Sequence, residues 1–126
     1  MRQLTPLLCA RFVLAFMWIY QGLIPKLIRV APVELEITAQ LGFSVNTTYL
    51  LIKLVGLLEV LFGVLVFFAY RNIVVLIANL VALLLLAVMA LVLTPHIMLA
   101  AFNPIITNLP YLVLGCWLLQ SAKRAC

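Results

Sequence analysis

The chain has 126 residues, of which 68% are hydrophobic and only 9% are charged, and its formal net charge is +5. Soluble domains have about 45–50% apolar and about 25% charged residues, and a soluble chain of this length could not bury so much apolar surface. This composition excludes a soluble enzyme, a disordered chain, a nucleic-acid-binding module and a disulfide-stapled secreted domain. It indicates a protein solvated by membrane lipid, in which the basic residues set orientation and contact anionic headgroups.

Four segments are long and apolar enough to cross the hydrocarbon core of a bilayer, which takes about 20 residues of helix. They lie at residues 6–24, 48–70, 72–93 and 104–120. The sequence therefore predicts an all-α integral membrane protein, in which residues 1–126 form a single bundle of four transmembrane helices.

Polar residues and prolines mark where these helices begin. Thr5 and Asn103 each precede a proline, the pattern of an N-cap followed by proline at the first helical position. Asn46 or Thr47 is the expected cap of the second helix. Pro110 predicts a kink in the fourth helix, or else the true start of that helix.

The connections between the spans differ in length. Arg71 and Asn72 alone join the second span to the third, which predicts an antiparallel hairpin whose two helices share an interface. Residues 32–41 open with a proline and carry Glu34 and Glu36 in their first turn. This pattern favours a short helix that lies at the membrane interface.

The basic residues predict the orientation. One side of the membrane would carry Arg2, Arg11, Arg71, Lys123 and Arg124, and the other side would carry Lys26 and Arg29. The excess marks the first side as cytoplasmic, so both termini are expected there. The aromatic residues expected at the interfaces are Trp18, Tyr20 and Tyr49 on the outer side and Tyr70 and Trp117 on the cytoplasmic side.

Glu59 is the acidic residue that lies within a span, about 16 Å from the start of its helix at 1.5 Å per residue. An ionised carboxylate near the midplane is costly, so Glu59 should be protonated, paired or exposed to a wet cavity. Gly56 and Gly63 share its helical face and allow a neighbouring helix to approach closely. Glu59 is therefore either a functional residue or a hydrogen-bonded link between helices.

Several other polar residues fall in the same outer half of the predicted bundle. With Glu59, they indicate a ligand-binding pocket that opens outward; the candidate residues are Glu59, Lys53, Lys26, Gln21, Asn103 and His96, with Thr107 and Asn108 nearby. Each also has an ordinary structural explanation, since a lysine can snorkel to the interface and Asn103 can serve only as a cap.

The cysteines give no sign of redox or metal chemistry. Cys9, Cys116 and Cys126 have neither C-x-x-C spacing nor a paired histidine. We expect small, buried and inert thiols, and no metal site.

Three short elements resemble those of the DoxX-like family of small bacterial membrane proteins. Residues 18–26 end in Gly-Leu-Ile-Pro-Lys, which resembles the family's G-x-x-P-K element. Residues 56–59, followed by Gly63, are similar to its G-x-x-E element, and residues 102–104 are similar to its F-N-P element. The resemblance covers nearly the whole chain in the right order.

This resemblance implies a four-helix bundle in the bacterial inner membrane, with Lys26, Glu59 and Asn103 as the marked positions. Some members of the wider DoxX family are linked to thiosulfate:quinone oxidoreduction or to membrane complexes that handle redox stress. This chain has no C-x-x-C pair and no histidine pair spaced for haem.

The leading hypothesis is a ligand-binding protein or an accessory subunit of a membrane redox system. A quinone-like or other amphipathic ligand would suit apolar walls with a few polar groups, and a quinone is the candidate cofactor. Membrane lipid, a redox protein or a second copy of the chain are the candidate partners. One alternative is an intramembrane enzyme with Glu59 as acid/base and Lys53 or Lys26 as electrophilic stabiliser. Another is a small oligomeric transporter.

Overall fold

The computed structural model describes residues 4–101 and 103–125. Across these ranges the chain forms five α-helices: α1 (Leu4–Gly22), α2 (Pro32–Ala39), α3 (Val45–Phe68), α4 (Ile73–Leu93) and α5 (Pro104–Ala125). A π-helical segment, Leu23–Ile28, continues α1, and a 3-10 turn, Pro95–Leu99, precedes α5.

Four helices are long and apolar enough to cross a membrane. They are Pro6–Ile28, Val45–Phe68, Ile73–Leu93 and Pro104–Ala125. This confirms the predicted all-α architecture with four spans. The helix expected within residues 32–41 is also present as α2, which is too short to cross.

Two predicted helix starts are wrong. Helix α1 begins at Leu4, so Thr5 lies inside its first turn instead of capping it. Helix α3 begins before both Asn46 and Thr47, because Ser44 is its cap: the Ser44 hydroxyl accepts a hydrogen bond from the N–H of Thr47 at 3.3 Å. Ser44, two residues before Asn46 and three before Thr47, thus satisfies one of the open N–H groups of the first turn.

The predicted start of the fourth span is correct. The side-chain oxygen of Asn103 accepts a hydrogen bond from the N–H of Ile106 at 3.0 Å, as an N-cap does. Helix α5 begins at Pro104 and continues through Pro110 without a break in the helix. Of the two alternatives, the start at Pro104 is therefore the correct one.

Helices α1 and α3 run antiparallel and pack along a seam of small residues. A Cβ atom on Gly56 would lie 2.7 Å from the carbonyl oxygen of Gly22, and one on Gly63 would lie 2.9 Å from the carbonyl oxygen of Ala15. Only glycine permits such an approach between backbones, as is common between transmembrane helices. The close neighbour predicted for the Gly56 and Gly63 face is therefore α1.

Helix α4 packs mainly on α5, and α3 and α4 touch at few residues. The prediction that these two consecutive helices share an interface is therefore wrong. The physical reason is that the glycines of α3 face α1 and not α4. Helix α4 instead packs closely on Gly115 of α5, where an added Cβ would lie 2.7 Å from Nδ2 of Asn79. The bundle thus consists of two close helix pairs with a groove between α3 and α4.

Trp18 joins the two pairs in the centre of the bundle. Its indole N–H donates a hydrogen bond of 2.7 Å to Oδ1 of Asn79 on α4, and its ring meets Phe62 of α3 edge to face at 5.1 Å between centroids. Trp18 is only 3% exposed, so it packs within the bundle instead of facing the headgroups. The span continues to Ile28 through the π-helical segment, which sets Trp18 deeper than a helix ending at Ile24 would.

The end of the bundle away from α2 holds Arg11, Tyr70, Lys123 and Arg124, which the sequence assigned to the other interface. The guanidinium of Arg11 lies 4.6 Å from the ring centroid of Phe67 and 4.3 Å from that of Tyr70. Lys123 and Arg124 lie in the last turn of α5, where positive charge stabilises the helix dipole. Basic residues are thus gathered at this end, and its cytoplasmic location stays a prediction.

Candidate ligand-binding cavity

A cavity of about 520 Å³ lies among α1, α3, α4 and α5, and α2 covers one end of it. Most of its wall is apolar, with Met17, Ile52, Leu83 and Met89 among the contributors. The polar and charged residues that line it are Gln21, Lys26, Glu34, Thr38, Glu59, Thr107 and Asn108.

The π-helical segment sets the position of Lys26. Pro25 has no N–H, so it cannot donate to the carbonyl of Gln21 as the next turn of an α-helix requires. The wider turn carries the chain past the proline, and the N–H of Arg29 bonds the carbonyl of Ile24 at 3.1 Å. The Lys26 ammonium then donates a hydrogen bond of 3.4 Å to the open carbonyl of Gln21.

Lys26 holds together a cluster of three charges, in which Lys26 and Glu59 are buried and Glu34 is partly buried. Its Nζ lies 3.0 Å from Oε2 of Glu59 and 3.0 Å from Oε1 of Glu34. With the carbonyl of Gln21, three oxygen atoms surround an ammonium that has three N–H groups to donate. The cluster pairs one cation with two carboxylates, which explains how Lys26 and Glu59 are tolerated at 6% exposure each.

Glu59 reaches this cluster because α1 and α3 are so close. Gly56 lies one turn before Glu59, and a Cβ on Gly56 would come within 2.7 Å of the Cβ of Lys26. Within the described chain, Oε2 of Glu59 makes no hydrogen bond of ordinary geometry, although it is paired in charge with Lys26. An ionised Glu59 was expected to be paired or exposed to a cavity. In the structure it is paired with Lys26 and also lines the cavity.

Sequence reasoning missed Glu34. The carboxylate was explained by its place in the first turn of a short interfacial helix, whereas in the structure it points inward to Lys26. A signal was present: Glu34, Ile37, Thr38 and Leu41 all line the cavity, and their spacing of i, i+3, i+4 and i+7 defines one helical face. Helix α2 therefore forms the cover of the cavity.

Helix α5 supplies two neutral polar residues. The hydroxyl of Thr107 donates to the carbonyl of Asn103 at 3.0 Å, so it is largely satisfied by its own helix. Asn108 is buried and lines the cavity, and its side chain has no hydrogen-bond partner among the described residues. The amide of Asn108 is thus available to a molecule in the cavity.

The structure does not bring Lys53 to the site. It is exposed on α3 and is not among the described residues that line the cavity. Six residues at about 100° each turn Lys53 by about 120° from Glu59 around the helix, so the two side chains have different neighbours. The expected Lys53–Glu59 pocket is therefore corrected to a Lys26–Glu34–Glu59 cluster.

Asn103 and His96 also lie outside the cavity lining. The Asn103 amide donates to the carbonyls of Met98 and Ala100, so Asn103 organises the start of α5. His96 is exposed and pairs with Glu36 at the surface, where it ties the 3-10 turn to α2. Of the six predicted pocket residues, only Glu59, Lys26 and Gln21 are brought together.

The thiols lie away from the cavity. Cys9 and Cys116 are free and exposed on the outer surface of the bundle, so their expected burial is wrong, and Cys126 lies outside the described residues. The described chain contains no group of three histidine, cysteine or acidic residues that could hold a metal ion.

The four apolar helices define a small multi-pass α-helical membrane protein. The chain belongs to the DoxX-like family, whose model matches residues 15–116. No curated protein and no solved structure matches the chain. The matched region includes Lys26, Glu59 and Asn103; Phe102, which precedes Asn103 in the third element, lies outside the described residues.

Proposed function

We propose that this protein binds an amphipathic, quinone-like molecule within the bacterial inner membrane. The observation that carries the proposal is a cavity of about 520 Å³ whose apolar walls meet a buried polar cluster at one end. Ligand sites are commonly clefts of about 300–1,000 Å³ lined by apolar side chains with a few polar groups that fix orientation.

The charges of the cluster favour a ligand with a neutral head group. Lys26 is surrounded by three oxygen atoms, two of them from carboxylates, so its positive charge is already compensated and does not favour a phosphate or carboxylate. When both carboxylates are ionised the cluster carries an excess of negative charge, which repels anions. The Asn108 amide can donate to a carbonyl, and a carboxylate such as Glu59 keeps lone pairs that can accept from a hydroxyl.

A quinone or quinol meets these requirements, since its head group offers carbonyls or hydroxyls and its tail is apolar. An accessory role in a membrane redox system is part of the same proposal, as the resemblance to the wider DoxX family implies. The positions of the basic residues support an orientation with the α2 end of the bundle facing outward. The alternative of an intramembrane enzyme now rests on Lys26 beside Glu59, because Lys53 is exposed elsewhere on α3.

The test is to identify what the purified protein retains. Native mass spectrometry of the detergent-solubilised chain should show an added small-molecule mass, and solvent extraction should release a quinone-like lipid. Ala90→Phe fills the cavity and should abolish the added mass, because Ala90 is buried in the cavity wall. Val92→Phe, on the exposed face of the same helix, should retain it. Wild-type protein without ligand, together with ion flux in liposomes, would favour the transporter.

A further inference from the structure

The groove between α3 and α4 encloses about 470 Å³ and opens sideways, toward the lipid. Val55, Leu58 and Phe62 of α3 line one wall, and Ala78, Ala82 and Leu85 of α4 line the other. These residues lie in the central turns of both helices, at the level of the hydrocarbon core. The groove is therefore in contact with lipid chains rather than with water.

The groove and the cavity share part of their walls. Trp18, Val55, Glu59 and Leu86 line both. The groove thus borders the cavity at Glu59, the residue that meets Lys26. Glu59 is 6% exposed, and its Oε2 has no hydrogen bond of ordinary geometry from the described residues.

We propose that this groove is a lateral portal that holds the apolar tail of the ligand while its neutral head group lies in the cavity. The inference rests on the proposed function and deepens it, because it specifies a ligand dissolved in the bilayer with a hydrocarbon or isoprenoid chain. A short-tailed, water-soluble analogue of the ligand with the same head group would not fill the groove, which lipid chains would then occupy. Such an analogue would bind less tightly.

The packing of the bundle favours this lateral route over one from the aqueous end. Helix α2 covers that end and is held there by the ion pair of Glu34 with Lys26 at 3.0 Å and by the contact of Glu36 with His96. In contrast, α3 and α4 touch at few residues. Ala78 and Ala82, one turn apart on α4, leave space opposite the large side chains of Leu58 and Phe62.

Trp18 lies where groove and cavity meet, so its fluorescence reports whether lipid chains enter the groove. Trp117→Phe leaves Trp18 as the single tryptophan. In phosphatidylcholine vesicles, lipid brominated near its chain ends should quench Trp18 strongly. Ala82→Phe fills the groove and should reduce the quenching severalfold, whereas Val81→Phe on the exposed face should not.

Two outcomes of this measurement would overturn the portal. One is an unquenched Trp18 in the parent protein, which together with a dimer mass would mean that a second copy covers the groove. The other is equal quenching in the parent, Ala82→Phe and Val81→Phe. If Ala82→Phe does not fold, Ala78→Phe blocks the same groove one turn away.

Tail length separates the portal from the proposed function. Ala82→Phe should weaken binding of a long-tailed isoprenoid quinone by about tenfold, or about 1.4 kcal/mol, and leave a short-tailed quinone with the same head group unchanged. If wild-type protein binds both quinones and Ala82→Phe weakens neither, the portal is wrong and the cavity function stands. If wild-type protein binds neither quinone, and Ala82→Phe still reduces the quenching of Trp18 by brominated lipid, then the proposal of a quinone-like ligand is wrong and the portal holds lipid.

Discussion

Oε2 of Glu59 on α3 lies 3.0 Å from Nζ of Lys26 in the segment that ends α1, and both side chains are buried. The pair depends on the contact between Gly22 and Gly56, which brings the two backbones together. It also depends on Pro25, around which the helix widens and turns Lys26 inward. Helix packing and the candidate site are therefore parts of one arrangement.

Lys26→Met should destabilise the protein by about 3–5 kcal/mol, the typical loss when one partner of a buried ion pair is removed. The change leaves Glu34 and Glu59 without their cation. The free energy of unfolding can be measured by denaturing-detergent titration. Lys53→Met is the matched control, an exposed lysine whose loss should stay within about 0.5 kcal/mol.

Neutralising the whole cluster provides a second test of whether its charge pairs stabilise the bundle. Lys26→Met combined with Glu34→Gln and Glu59→Gln should recover most of the lost stability, because no buried charge is left alone. If Lys26→Met were no worse than Lys53→Met, the cluster would have no part in the stability of the bundle.

Gly56→Ala should lower the free energy of unfolding by about 1–3 kcal/mol, the usual cost of overpacking a tight contact. The added methyl would lie 2.7 Å from the carbonyl oxygen of Gly22, so α1 must move away from α3. Leu57→Ala, on the exposed face of the same helix, is the control. Equal melting temperatures for the two variants would mean that the α1–α3 contact is looser than described.

The hydrogen bond from Trp18 to Asn79 should give a coupling energy of about 0.6–1.7 kcal/mol, the average and upper values measured between transmembrane helices. A double-mutant cycle with Trp18→Phe and Asn79→Leu isolates it from the loss of packing. A coupling energy of zero would contradict the 2.7 Å contact between the indole N–H and Oδ1.

The number of spans could be predicted from the lengths of the apolar segments, because lipid solvation demands a long apolar helix wherever the chain crosses. Side-chain partners were harder, because they depend on which helices pair. Lys53 and Glu59 are close in sequence but point about 120° apart around α3. Lys26 and Glu59 are far apart in sequence, and they meet only because glycines on α1 and α3 let the two backbones approach closely. Glu34 was missed because a carboxylate in a first turn already has a sufficient local explanation, the helix dipole.

Topology can be tested by thiol labelling in a variant in which serine replaces Cys9, Cys116 and Cys126; this variant should itself fold and function. Gln40→Cys, just after α2, should react with a membrane-impermeant maleimide added to intact cells, because the distribution of basic residues predicts that this end is outside. Arg71→Cys at the opposite end should react only after permeabilisation. The reverse pattern would overturn the orientation, and loss of function in the serine variant would indicate a thiol mechanism.

The most direct test of the binding site compares ligand retention in Glu59→Gln and wild-type protein by native mass spectrometry, with thermal stability measured in parallel. Glutamine keeps the size of the side chain and leaves Lys26 paired with Glu34, so the stability loss should be only about 1 kcal/mol. We expect the folded variant to lose the retained molecule, because it lacks the carboxylate that lines both the cavity and the groove. Full retention in Glu59→Gln would contradict this role and leave Glu59 as a structural link between helices.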